Sequence, residues 1–319
     1  MAALSQPARV RVRAPTPGEG AEIAALWREL WDVHEQWGGY PGSRDPLVYA
    51  DLAERLNDDA RVRAGRAVLG RHVHLVAELG SGLCGQVEGW LERHGVDSST
   101  PLTCEVRSLI VSERARHCGA GRALLDALGR VVRSTSRLAS SLLAAEVVSR
   151  NPANAFYERV GYRPVAWSAR IEAAGGASVA SPLHARLAVA EDGLAVLHLE
   201  EQLARRRRSA GDLRFDGPVA IDAALLGSVS GHLAVHAAAA SLQDPATLVV
   251  ADRHGVRGSA SFTVQALEPP FIPVSRALLG RFGLDPDLPA PSLVLPLVAL
   301  ACRLAGARAA PHVELTDLS

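Results

Sequence analysis

The chain has 319 residues, 48% hydrophobic and 21% charged, with 34 basic residues against 34 acidic ones. That length suits two domains, each able to bury its own core, and the zero formal net charge excludes a global field drawing nucleic acid or an anionic membrane, so neither is expected as a partner. Every basic residue is Arg, a chain-wide bias that says nothing about any one site.

The opening stretch to Arg13 has no apolar segment of the secretory kind. The longest apolar run, Leu293 to Cys302, is interrupted by Pro296 and is about half the length needed to span a bilayer. Cys84, Cys104, Cys118 and Cys302 show neither C-x-x-C pairing nor metal-ligand spacing, so no metal is expected and a reducing, cytoplasmic setting fits.

Val10 to Arg13 reads as a first strand. Thr16-Pro17-Gly18-Glu19 is a helix-start signal, and Ile23, Leu26, Trp27, Leu30, Trp31 and His34 then fall on one helical face. Trp31, with Trp27, reads either as core or, together with Glu35, Trp37, Tyr40 and the Gly-rich loop to Gly42, as the wall of a binding pocket. A short polar helix over 47–57 leads to two alternating runs, His72–Ala77 and Cys84–Leu91, around Gly80-Ser81-Gly82: a β-hairpin. His72 and His74 share a face, but no third ligand accompanies them.

Next comes the most informative stretch. Thr103 to Val111 is a β-branched strand in which alternation points Glu105, Arg107 and Leu109 one way and Cys104, Val106, Ser108 and Ile110 the other. It passes into Arg116-His117-Cys118-Gly119-Ala120-Gly121, and a helix starts at once, with Leu124, Leu125, Leu128, Val131 and Val132 as its apolar stripe. Strand, glycine turn and helix N-terminus together make an anion site: glycines admit close backbone approach, successive N–H groups converge, and the dipole favours negative charge. A phosphate or pyrophosphate is the expected ligand. A strand over 142–148, a helix around Ala153–Arg159 and a strand near Arg163–Ile171 follow.

Two blocks carry a family resemblance. R-x-x-G-x-G after a strand ending in Val, followed by Arg122-Ala123-Leu124-Leu125, resembles the acetyl-CoA loop of the GNAT N-acetyltransferase superfamily. About thirty residues on, Asn151-Pro-Ala-Asn-Ala-Phe-Tyr-Glu-Arg-Val-Gly-Tyr162 is similar to that family's closing A-x-x-F/L-Y-x-x-x-G-F/Y helix. The loop alone would be weak; both blocks, in order and at this spacing, are strong. Glu113, where a proline is common, and His117-Cys118 depart from the pattern without removing backbone donors.

The resemblance implies an α/β (α+β) fold: a mixed, mostly antiparallel sheet flanked by helices. It also implies acetyl transfer from acetyl-CoA to a primary amine by direct attack. The pyrophosphate then falls to Arg116, His117, Cys118, Gly119, Ala120, Gly121 and Arg122, and the pantetheine arm to the backbone of Ile110 and Val111. Asn151 either contacts the pantetheine amide or caps the helix after Pro152. Glu105, eleven residues before Arg116, is the base candidate, or an ordinary strand carboxylate paired with Arg107. Tyr157 is the acid candidate, protonated at neutral pH as an acid must be, or a packing tyrosine. Cys118 at a helix start invites an acidic thiol, but no base lies beside it in sequence. Asp32, Glu35, Glu88, Glu105 and Glu146 are candidates for the acceptor side, which suits an aminoglycoside- or polyamine-like amine. The competing reading is a non-catalytic acyl-CoA-binding or regulatory module whose C-terminal half dimerises.

Residues 173–181, small and breaker-rich, read as a linker, and Leu194–Arg208 as a helix ending in a solvated Arg run. Beyond it the pattern repeats: Leu213–Phe215 and a helix over 221–236, hairpin runs 247–251 and 258–264, an apolar helix near 295–304, and a strand at His312. Neither motif block recurs. The expected organisation is therefore 8–172, an acetyltransferase-type domain; 173–210, linker and helix; and 211–319, a smaller degenerate copy, in a monomer or homodimer.

Overall fold

The structure, a computed structural model, describes residues 10–39, 41–80, 82–92, 102–135, 141–173, 182–212, 221, 223–238, 246–267, 270 and 275–318. Two compact units emerge, one of Met1–Arg163 with Pro269–Ile272, the other of Pro164–Glu268 with Pro273–Ser319.

The first unit runs β1 (Arg11–Arg13), α1 (Gly20–His34), α2 (Pro46–Arg63), β2 (Val68–Leu69), β3 (His72–Leu79), β4 (Gly82–Glu92), β5 (Leu102–Val111), α3 (Ala120–Thr135), β6 (Ser141–Ala145) and α4 (Ala153–Arg159). Its sheet has the order β1-β3-β4-β5-β6, with β2 on β3; β5 and β6 are parallel, the other pairs antiparallel. The α2 helix starts where expected, Asp45 accepting the Leu47 N–H at 2.9 Å and Pro46 presetting its first turn, and it runs on to Arg63, with Ala60 and Arg63 buried in its last turns. Apolar alternation gives the sheet two covered faces. Val73, Leu75, Ala77, Val87 and Leu91 meet Leu124 and Leu128 of α3, while Val76, Leu83 and Ile110 meet Ile23, Trp27 and Trp31 of α1.

One irregularity decides what β5 presents to each face. Register runs Glu88↔Ser108, then Gly89↔Val106, so Arg107 is an extra residue on β5, a β-bulge. Simple alternation put Leu109 with Glu105 and Ser108 with Cys104. The bulge exchanges them: Cys104, Val106, Leu109 and Val111 face α3, and Glu105, Ser108 and Ile110 share the α1 face.

The second unit runs β7 (Trp167–Glu172), β8 (His184–Leu187), α5 (Gly193–Ser209), α6 (Ala223–Ala238), β9 (Ala246–Asp252), β10 (Gly255–Ala266), β11 (Ser275–Leu284), α7 (Ala290–Ala307) and β12 (His312–Leu318). Its sheet has the order β7-β12-β11-β10-β9-β8, with β11 and β12 parallel. From β8 onward the element order repeats that of the first unit, but it starts earlier than the sequence pattern suggested. β8 and α5 stand where β1 and α1 stand, and residues 213–220 lie outside the described residues. Within 173–210, expected as linker and helix, the helix is α5, which buries Val196, Leu197, Leu199 and Leu203, and β8 adds a strand that pairs with β9. β7 also differs from expectation. Rather than closing the first sheet, it lies antiparallel to β12, Ile171 opposite Val313; most of its residues are exposed, and Ile171 packs against the core of the second unit. The α7 helix is long and apolar enough to cross a membrane, yet Leu293, Leu297, Ala301, Cys302 and Ala305 are buried in the core of this unit.

Candidate active site

β5 and β6 pair from Leu102↔Ser141 to Val106↔Ala145. There β6 ends, while β5 continues to Val111, leaving one edge of its last residues open. Which peptide groups face that opening follows from the other edge. Ser112 N–H donates to Cys84 O at 2.9 Å, so Gly85 and Val111 form a non-hydrogen-bonded pair and Gln86 and Ile110 exchange both bonds. The peptide groups of Ile110 therefore turn toward β4, and those of Leu109 and Val111 toward the opening. Sequence reasoning named Ile110 and Val111; Leu109 is the residue it missed, because peptide direction depends on cross-strand register.

After β5 the chain makes a 3-10 turn, Glu113–Ala115, whose Glu113 N–H is bound by the Glu29 carboxylate of α1. Arg116 N–H donates to Glu113 O at 3.2 Å. His117 and Gly119 then adopt left-handed φ of 66° and 88°, and α3 begins at Ala120. Among the described residues the peptide N–H groups of His117, Cys118, Gly119, Ala120, Gly121 and Arg122 meet no backbone acceptor; the last four are those the start of a helix leaves open. Arg116, His117, Cys118 and Gly119 are exposed, so these donors open to solvent at the positive end of a 16-residue helix. Arg122 is exposed and 3.9 Å from Asp126. The Cys118 thiol donates to Ala115 O at 2.7 Å. A β-carbon at Gly121 would stand 3.2 Å from Phe156 Cζ and 3.7 Å from Val111 Cγ2. Turn, strand end and α4 meet there.

Just ahead of α4, Asn151 Oδ1 accepts the Ala153 N–H at 2.9 Å, spanning Pro152, the residue before the helix. Tyr157 is half-buried, its ring edge-on to Phe156 at 5.4 Å and to Tyr162 at 5.1 Å. Burial pushes its phenol up to about 12, which keeps it protonated throughout the neutral range.

On the α1 face the expected acceptor residues separate. Trp31 is core: buried, stacked on Trp27 at 6.1 Å and covered by Gly42, where a β-carbon would strike its ring. Trp37 is half-buried, 6.3 Å from His34. Glu35 is exposed, 3.7 Å from Arg44, and Glu146 is exposed just past the end of β6. Tyr40 lies outside the described residues. Glu105 is half-buried and paired with Arg107 at 2.9 Å.

Deeper on this face is a polar cluster the sequence reading did not assemble. Arg63, His74 and Gln86 are fully buried and Ser108 nearly so. Arg63 is paired with Asp59 and lies 2.6 Å from His72 Nδ1. His74 Nε2 is 2.9 Å from Gln86 Oε1, Gln86 Nε2 donates to Ser108 Oγ at 3.3 Å, and Ser108 stands directly across the strand pair from Glu88. Burial lowers His74 to about 4. Burial, with repulsion from Asp59, pushes Glu88 up to about 7. The two histidines are thus engaged by Arg63 and Gln86. The sequence signal was the period-2 run of His74 on β3 and Gln86 and Glu88 on β4, legible only once register set them side by side.

The second unit repeats the strand geometry but not the turn. β11 pairs with β12 over Ala277↔Val313 to Leu279↔Leu315 and runs on to Leu284. Before α7, however, stand Asp285, Pro286, Asp287, Leu288 and Pro289. The Asp287 and Leu288 N–H groups are already bound by Asp285, the prolines have no N–H, and the turn carries two carboxylates, Asp285 paired with Arg257 at 2.9 Å and Asp287 exposed.

Residues 70–164 match the family model described as an acetyltransferase (GNAT) domain. Among solved structures, a GCN5-related N-acetyltransferase from Sphaerobacter thermophilus is similar over 98% of this chain and 87% of its own, with TM-score 0.56 and 18% identity. A glucosamine N-acetyltransferase region in a fungal multi-domain GH3 β-N-acetylglucosaminidase is similar over 99% of this chain, with TM-score 0.55 and 13% identity; the match spans 36% of that longer protein. At these identities the likeness is one of fold, and it extends through both units. No match to a curated protein sequence was found.

Proposed function

From the GNAT acetyltransferase domain that residues 70–164 form, we propose that this protein transfers the acetyl group of acetyl-CoA to a primary amine of a small molecule. The observation that supports this most is the meeting of Gly121, Val111 and Phe156 beside unsatisfied N–H groups at the start of α3. The fit is chemical: a pyrophosphate needs converging donors at a helix start, and the turn offers them from His117 to Arg122. A pantetheine amide needs a strand edge, and Leu109 and Val111 leave theirs open.

In this reading acetyl-CoA supplies the activated acetyl group. Peptide donors on the open edge of β5 stabilise charge developing on the carbonyl oxygen. Tyr157 gives the departing thiolate its proton. A carboxylate of the α1 face, Glu105 by motif position or Glu88 by burial, takes the proton of the acceptor ammonium. Glu35 and Trp37 border the acceptor side, which suits a cationic amino sugar or polyamine. The second unit supports rather than repeats the chemistry. All four cysteines are free thiols, in keeping with the cytoplasm.

The test pairs calorimetry with a thiol-release assay over a panel of amines. Saturable acetyl-CoA binding with amine-dependent release of free thiol is expected. Binding without thiol release would favour a non-catalytic acyl-CoA module, and no binding would reject the reading.

A further inference from the structure

The α1 face carries two carboxylates near the point where β5 leaves β6, and they are in different states. Glu105 is held by Arg107 at 2.9 Å, both side chains well over a quarter exposed. An arginine partner favours the carboxylate and weakens it as a base. Among the described residues Glu88 has no arginine within ion-pair distance: its side chain is 17% exposed, and the basic group beside it is His74 Nε2 at 3.8 Å.

The groups facing Glu88 form a one-way chain of donors. His74 is neutral, so its Nε2–H donates to Gln86 Oε1. The Gln86 amide in turn donates to Ser108 Oγ, which leaves the Ser108 hydroxyl hydrogen able to turn to Glu88, its cross-strand partner. Each donor is polarised by the one behind it, and the chain ends on Glu88. From α2, Asp59 opposes ionisation of Glu88 and Arg63 favours it. Ser108 is the first residue past the Arg107 bulge, on the part of β5 that no longer pairs with β6.

We propose that Glu88, rather than Glu105, accepts the proton of the acceptor ammonium, with Ser108, Gln86 and His74 as positioning residues that steady its carboxylate. The inference rests on the acetyl-transfer reading. Burial places Glu88 close to neutrality, where a proton acceptor combines availability with driving force. Glu105, fixed by Arg107, contributes charge toward a cationic acceptor instead.

The full chain is assayed from acid to alkaline pH with acetyl-CoA and an amine that the panel shows to be a substrate. Expected is a wild-type kcat/KM that rises through an inflection near about 7. Glu88→Gln should lose about 10²–10⁴-fold of kcat together with that inflection, at unchanged acetyl-CoA affinity and circular dichroism. Ser108→Ala should keep the inflection but move it to higher pH, an effect that mere loosening of the fold would not produce, and it serves should Glu88→Gln fail to fold. Glu105→Gln should raise KM and leave the inflection in place. An inflection unchanged in Glu88→Gln or Ser108→Ala, or abolished in Glu105→Gln, overturns the proposal while leaving acetyl transfer standing. Wild-type protein that binds acetyl-CoA but releases no thiol with any amine overturns acetyl transfer, and this proposal with it.

Discussion

Gly121 and Phe156 stand so close that a β-carbon on the glycine would lie 3.2 Å from the edge of the phenyl ring. The glycine is there for contact, since its own φ is not left-handed, whereas Gly119, at φ 88° with nothing near its missing side chain, is there for backbone conformation. Two glycines of one motif therefore fail differently. Gly119→Ala should cost roughly 1–2 kcal/mol of strain and weaken acetyl-CoA binding. Gly121→Val should displace α4 and abolish binding in a domain that still folds. Calorimetry returning wild-type affinity for both variants would remove the turn from the site.

Tyr157→Phe deletes only a hydroxyl. If that group protonates the thiolate, kcat falls about 10²–10⁴-fold with little change in acetyl-CoA affinity. With its phenol held near about 12, wild-type activity should show no loss from Tyr157 ionisation until strongly alkaline pH. Full activity in the variant would pass the role to solvent.

The turn before α7 predicts stoichiometry. With its donors bound and its prolines donating nothing, the full chain should take up one acetyl-CoA per molecule. A second saturable site in the same titration would mean the second unit recognises the cofactor by other groups.

Cys118 turns its thiol hydrogen to Ala115 O, away from any base. Cys118→Ala should keep most activity, and initial-velocity lines should intersect, as when both substrates are bound together. Parallel lines with labelled acetyl trapped on Cys118 would establish a covalent route instead.

Glu88 and His74 make opposite contributions to stability. Glu88 is raised from 4.5 to about 7, so its contribution is present at low pH and lost as pH rises through about 7. His74 is lowered from 6.5 to about 4; its contribution is present above 6.5 and lost as pH falls through about 4. Glu88→Gln should accordingly melt several degrees higher than wild type above about pH 7, a gain on the order of a few kcal/mol at most. It should also unmask a steeper fall in stability toward acid. A variant less stable than wild type at alkaline pH would show that the carboxylate is needed for packing.

Much of this was legible in the sequence. The hairpin of β3 and β4 and the β5–turn–α3 block stand where periodicity and turn chemistry put them, and α4 where the motif resemblance put it, because each is specified by residues near in the chain. What escaped depended on partners far away. The Arg107 bulge is visible only against β4, and it moves Ser108 onto the face of Glu105. Trp31 has the same apolar signature as a pocket wall, and only α2 and the Gly42 loop make it core. β7 and β8 are short strands whose own residues do not name a sheet.

The pairing of β7 with β12 bears on how the chain reaches its native state. Trp167 must find Leu318, and Ile171 must find Val313, so during synthesis β7 leaves the ribosome long before its partner exists. The second sheet cannot be completed strand by strand as it emerges; one edge waits for a contact of very long sequence separation, the kind that slows folding and leaves backbone groups exposed meanwhile. Substitutions in the Trp167–Glu172 strand should therefore show themselves first in soluble yield and refolding rate, and only later in the chemistry of the α3 turn.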